Sequence, residues 1–99
     1  MMKDSNEKQR IERRIIEIIT QIYRSVSKKR DIPEITAVTD IRENLGFDSL
    51  MLIILQVDVE DTFHIHMNPI EDDFQYIFKN IQNLSNYVQS CLEDSIDGN

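Results

Sequence analysis

The sequence predicts an all-α domain, a bundle of four helices with a long loop between the first and second and a short third helix. Three observations carry that prediction. Glycine and proline occur only twice each in 99 residues, so little interrupts a helix. Apolar side chains recur at three- and four-residue intervals towards both ends of the chain. Short polar residues of the kind that satisfy the free N–H groups of a first helical turn stand just ahead of the apolar runs. A chain of this length makes one domain, residues 1–99, with an ordered core from about 6 to 92 and an acidic, frayed tail from 93 to 99.

Helix I is predicted from about residue 6 to 28, because Asp4 and Glu7 have capping-box spacing and Ile11, Ile15, Ile18, Ile19, Ile22 and Val26 form one stripe. The segment from Lys29 to Asn44 mixes charge, Pro33 and β-branched residues. It reads as a loop, with Ile35, Val38 and Ile41 tucked under the bundle. Helix II begins at Asp48 or Ser49 and ends near Phe63, since good or neutral helix formers follow a capping signal without a breaker. Pro69 opens a short helix III, with Glu71, Asp72 and Asp73 in its first turn. Asn80 caps helix IV, which carries Ile81, Leu84, Tyr87, Val88 and Cys91 or Leu92. Between helices II and III, Phe63, Ile65 and Met67 face the core while His64 and His66 face solvent.

Charge is divided sharply along the chain. Residues 1–30 hold nine Lys and Arg against four acids, a balance of +5; residues 31–99 hold two against fourteen, a balance of −12. The acidic part repels nucleic-acid phosphates and anionic lipids and attracts basic patches on partner enzymes. Arg10, Arg13 and Arg14, with Lys28, Lys29 and Arg30, read as solvated faces of helix I rather than as a nucleic-acid or membrane patch. The polar amino terminus lacks the apolar stretch of a signal peptide, and no segment is long and apolar enough to span a bilayer. The single cysteine, Cys91, cannot form an internal disulfide. Together these features point to a cytoplasmic protein in a reducing compartment, without stable membrane insertion.

Ser49 is the candidate functional residue. In the run Leu45-Gly46-Phe47-Asp48-Ser49-Leu50 it follows a glycine turn and an aspartate cap at the mouth of an apolar helix, which leaves its hydroxyl exposed and rigidly held. A helix N-terminus also favours a nearby phosphate. Such a hydroxyl suits attachment of a group that a modifying enzyme installs and that then carries cargo.

That run resembles the G-x-D-S-L signature of acyl carrier proteins, and the rest of the chain follows the same family's order over roughly residues 8–90. Val59-Glu60-Asp61-Thr62-Phe63 resembles the acidic, phenylalanine-closed end of the family's helix II. Met67 falls near the apolar residue of its next loop, and Ile81 to Val88 resembles its last helix. The resemblance implies a non-catalytic, stand-alone, monomeric carrier whose Ser49 bears 4′-phosphopantetheine taken from coenzyme A. Its implied partners are a phosphopantetheinyl transferase and acyl- or aminoacyl-loading and condensing enzymes. Gly46 would set the turn, Asp48 would help the transferase and cap the helix, and Leu50, Met51 and Ile54 would either form a docking surface or pack under the loop from Lys29 to Asn44, with Asp58, Glu60 and Asp61 keeping the far end acidic. Set against the family pattern, Ile53, Leu55, Val57, Val59 and Phe63 are the core positions. Fatty-acid carriers usually have acids where this chain has Met51 and Ile54, which implies a specialised polyketide, nonribosomal-peptide or lipid pathway.

Two other readings stay open. One is a carrier of aminoacyl or peptidyl cargo. The other is a helical interaction adaptor in which Ser49 only caps a helix. Catalysis by Ser49 is disfavoured, because the flanks are not a G-x-S-x-G elbow and the nearest histidine, His64, lies about 20 Å along an intact helix II. His64 and His66 lack a third ligand and make no metal site, and the clustered acids lack the order of a calcium loop.

Overall fold

Isoleucines at 11, 15, 18, 19 and 22 fall on one side of a helix, and in the computed structural model of the chain they form the inner face of α1 (Lys3–Ser27). The structure describes residues 3–27, 31–67 and 71–97. After α1 come α2 (Ser49–Phe63), α3 (Glu71–Ile77) and α4 (Ile81–Asp97). The described residues contain no strand, only an isolated bridge between Asp40 and Asn80. The architecture is thus all-α, as predicted.

α1 packs against both α4 and α2, and α3 packs against α4. Their shared core includes Ile15 and Ile19 from α1, Leu55 and Val59 from α2, Phe78 after α3, and Ile81, Leu84 and Val88 from α4. Each such side chain contributes about 1.5–3 kcal/mol on burial, so this cluster dominates the stability of the fold. The rings of Phe74 and Phe78 pair one turn apart, tilted by 42° with centroids 4.7 Å apart, and Phe78 is completely buried in the shared core with Phe74 partly buried against it. Asn80 caps α4 by accepting the Asn83 N–H at 2.7 Å. On the inner side of α4, Ser85 is fully buried and its hydroxyl has no hydrogen-bond partner among the described residues.

Several boundaries and faces differ from the sequence reading. α1 opens at Lys3, so Asp4 lies inside the helix instead of capping it, and α4 runs on to Asp97 through most of the expected frayed tail. Val26 is exposed despite its place in the stripe. Val38 is 71 % exposed, not tucked under the bundle. The reason is local: the Thr39 N–H donates to the Thr36 carbonyl at 3.1 Å, closing a turn that puts Ala37 and Val38 at its corners. Ile41, by contrast, is completely buried, and Ile35 packs partly against the core. Pro69, and the basic run Lys28 to Arg30, lie outside the described residues.

Candidate functional site

Ser49 is the first residue of α2 and is exposed. Its neighbours explain why. Asp48 takes extended backbone angles, and its Oδ1 accepts the Met51 N–H at 3.0 Å while its carbonyl accepts the Leu52 N–H at 3.0 Å. The aspartate side chain is thereby folded back over the first turn, and the serine beside it is left facing solvent. Gly46 has φ of 72°, and a Cβ there would meet nothing within 4 Å, so the backbone angle alone calls for glycine. Leu45 and Phe47, on either side of Gly46, are buried and anchor the approach to Ser49.

The anchored approach rests on a tight turn. Asp40 Oδ1 accepts the N–H groups of Arg42 and Glu43 at 3.0 and 2.7 Å, and the Gly46 N–H donates to the Arg42 carbonyl at 3.0 Å. The bond from the Glu43 N–H is the main cause that holds the Asp40 carboxyl below its ordinary value; Lys79, 3.5 Å away, adds to it, and burial opposes it. This turn is pinned to the α3–α4 junction, where the Ile41 N–H donates to the Lys79 carbonyl at 2.9 Å and the Gln82 N–H to the Ala37 carbonyl at 2.8 Å. The result is an open cleft of about 290 Å³ beside Ser49, lined by Arg42, Ser49, Leu52, Ile53, Phe74 and Gln75. Arg42, Phe74 and Gln75 were not among the sequence candidates. Arg42 carried a usable signal, being one of only two cations in residues 31–99.

Residues 17–88 match the family described as the phosphopantetheine attachment site. The chain is also 30 % identical over 78 residues to an acyl carrier protein of an Exiguobacterium species, covering 77 % of this chain and 95 % of that protein. It is 33 % identical over 85 residues to an acyl carrier protein of Azobacteroides pseudotrichonymphae, covering 86 % of this chain and 92 % of that one. The chain belongs to the acyl carrier protein family. The prosthetic group of such carriers is 4′-phosphopantetheine, and members act with phosphopantetheinyl transferase and with biosynthetic enzymes. Among the described residues no helix is long and apolar enough to cross a membrane.

Helix α2 of this acyl carrier protein turns different residues inward from those expected. Met51 is only 6 % exposed and Leu52 is buried beside it, with Leu55 and Val59 completing the inner face; Ile54 is half-buried against the same core. Met51 therefore cannot present a docking surface, and Ile54 presents only part of one. Leu50, Ile53 and Val57, at 61, 54 and 48 % exposure, form the outer apolar ridge. The family pattern sets Ile53, Leu55 and Val57 inward together, but two residues along a helix turn a side chain by about 200°, so Leu55 goes in while Ile53 and Val57 stay out.

The acidic end also divides. Asp61 is exposed and Asp58 partly so, but Glu60 is turned towards the following loop. Its Oε2 accepts the Met67 N–H at 2.8 Å, and His66 Nδ1 lies 3.9 Å from the same oxygen. Glu60 is thus occupied with closing the chain behind α2. His64 caps that end in the left-handed region with φ of 56°. It sits at the opposite end of the helix from Ser49, about 20 Å away, too far to act as its base.

Proposed function

We propose that Ser49 is the attachment point of the phosphopantetheine arm, and that the protein carries acyl cargo as a thioester in a specialised polyketide, nonribosomal-peptide or lipid pathway. The observation that carries this reading is an exposed hydroxyl at the first position of α2, held between the Asp48 cap and the Gly46 turn, within the segment matched by the family. The residues fit the group: the hydroxyl is open to solvent and adjoins a cleft with room for part of a flexible arm. A phosphopantetheinyl transferase would join the Ser49 oxygen to the phosphorus nearest the pantetheine of coenzyme A. The pyrophosphate bond breaks, the serine proton is lost and 3′,5′-ADP leaves. When bound, the arm supplies a terminal thiol on which cargo rides.

The protein's own part is positioning, not catalysis. A tether raises the local concentration of cargo at each partner's active site. Gly46 fixes the angle of approach, Asp48 caps α2, and Leu50 opens the apolar ridge that continues through Ile53 and Val57, with Asp58 and Asp61 beyond it. Loading and condensing enzymes would read this ridge by shape and hydrophobicity more than by charge, which is the feature that favours a specialised pathway. We place the carrier in the cytoplasm, as a monomer.

Intact mass after incubation with coenzyme A and a broad-specificity transferase tests the reading. The parent should gain one phosphopantetheine and Ser49→Ala none, with the helical content of both unchanged. No gain in a folded parent would overturn it and leave Ser49 as part of a helix start.

A further inference from the structure

We propose that Arg42 holds the phosphate of the arm, a positioning role for a residue outside the attachment motif. This rests on the reading of Ser49 as the attachment point. A phosphodiester on Ser49 brings a negative charge into the part of the chain that already carries a balance of −12. Repulsion drives the phosphate away from the surface unless a cation stands nearby. Residues 31–99 hold two cations, Arg42 and Lys79, and Lys79 lies 3.5 Å from the Asp40 carboxylate. Arg42 is exposed, lines the same cleft as Ser49, and its guanidinium makes no hydrogen bond or ion pair with any described residue.

The backbone of Arg42 is fixed on both sides, its N–H on Asp40 Oδ1 and its carbonyl on the Gly46 N–H. Its long side chain is therefore launched from a rigid turn. It stands on the divide between the Ser49 cleft and a second, polar cleft lined by Asp40, Glu43, Gln75, Tyr76 and Lys79. In that second cleft the Asp40 carboxylate is already taken by two N–H groups and by Lys79. An anion on Ser49 gives the guanidinium a better-matched partner, since its planar fork of N–H donors suits two phosphate oxygens where an ammonium meets only one charge. Of the remaining walls, Leu52, Ile53 and Phe74 are apolar and would take the carbon portion of the arm beyond the phosphate, and Gln75 is polar and suits its amide groups.

The test compares the arm-bearing forms of the parent, Arg42→Gln and Arg42→Lys by 31P NMR at low and high salt, with intact mass to show that each carries the arm and circular dichroism to show that each is folded. The parent resonance should move as salt is raised. The Arg42→Gln resonance should already lie at the parent's high-salt position and stay there, with Arg42→Lys between the two. The Arg42 Nε–H resonance of the parent should shift when the arm is added. Coincident 31P resonances in parent and Arg42→Gln at low salt, both bearing the arm, would overturn the proposal and leave the Ser49 reading standing. Coincident resonances together with slower modification of Arg42→Gln would overturn it in favour of a contact with the transferase. No arm on the parent would remove the Ser49 reading and this proposal together.

Discussion

At its first turn α2 is closed by Asp48, whose carboxylate accepts the Met51 N–H, and at its last by His64, whose own N–H returns to the Glu60 carbonyl while the Glu60 side chain takes the Met67 N–H. Each end also contains one residue with positive φ, Gly46 before the helix and His64 after it. The difference lies in what each closure leaves exposed. At the N-terminal end a single short side chain does the capping and a glycine takes the demanding angle without strain, so Ser49 is held in place with its hydroxyl unobstructed. At the C-terminal end a long carboxylate is drawn inward and a histidine bears the left-handed angle, so that end fixes the path of the chain towards Met67. One end is built to present a group, the other to route the backbone.

Substitutions at the two ends should separate these tasks. Gly46→Ala should be the most costly, about 1–2 kcal/mol in denaturant unfolding, because φ is unfavourable to any Cβ even though space is open. If Gly46→Ala costs nothing, the approach to Ser49 does not depend on the left-handed angle at residue 46. Asp48→Ala and Glu60→Ala should each lose about 1 kcal/mol, while Asp48→Asn, which keeps a capping oxygen, should lose much less. Equal losses in Asp48→Ala and Asp48→Asn would assign the effect to charge and not to the cap. His64→Gly should act in the opposite direction, raising stability by about 0.5 kcal/mol as relief of the left-handed angle outweighs the added chain entropy.

The smallest effect belongs to Asp40, in the turn beneath the N-terminal end. Its pKa is lowered from the ordinary 3.8, chiefly by the Glu43 N–H. The folded state favours the carboxylate, so its contribution is present above about pH 3.8 and fades as pH falls through the lowered value. Melting curves taken from about pH 5 down to 2 should show a shallower acid decline in Asp40→Asn than in the parent. Superimposable declines would remove Asp40 from the support of the site.

What the sequence revealed and what it concealed follow from the range of the forces involved. Helix starts at Ser49 and Ile81 were legible because Asp48 and Asn80 act within three residues, and the stripe of α1 was legible because its other face is polar. The inner face of α2 was not, since apolar residues surround that helix and only packing against α1 decides that Met51 and Leu52 go in while Ile53 and Val57 stay out. Val38 was misplaced because a turn between Thr36 and Thr39 outranked its hydrophobicity. Within the candidate site, Gly46, Asp48 and Ser49 lie in one short run of sequence, whereas the cleft needs Arg42 from before the helix and Phe74 from after it, a pairing that no local spacing encodes.

The bonds from the Ile41 N–H to the Lys79 carbonyl and from the Gln82 N–H to the Ala37 carbonyl have a dynamic corollary. The caps of α2 close over a few residues and re-form quickly after any local opening, but these two bonds join stretches far apart in the chain and carry the loop-closure entropy between them. Loss of these two bonds would free the Asp40–Gly46 turn, with Arg42, from the α3–α4 junction while leaving α2 intact. The amide protons of Ile41 and Gln82 should exchange with solvent in step, as two clocks on the same hinge.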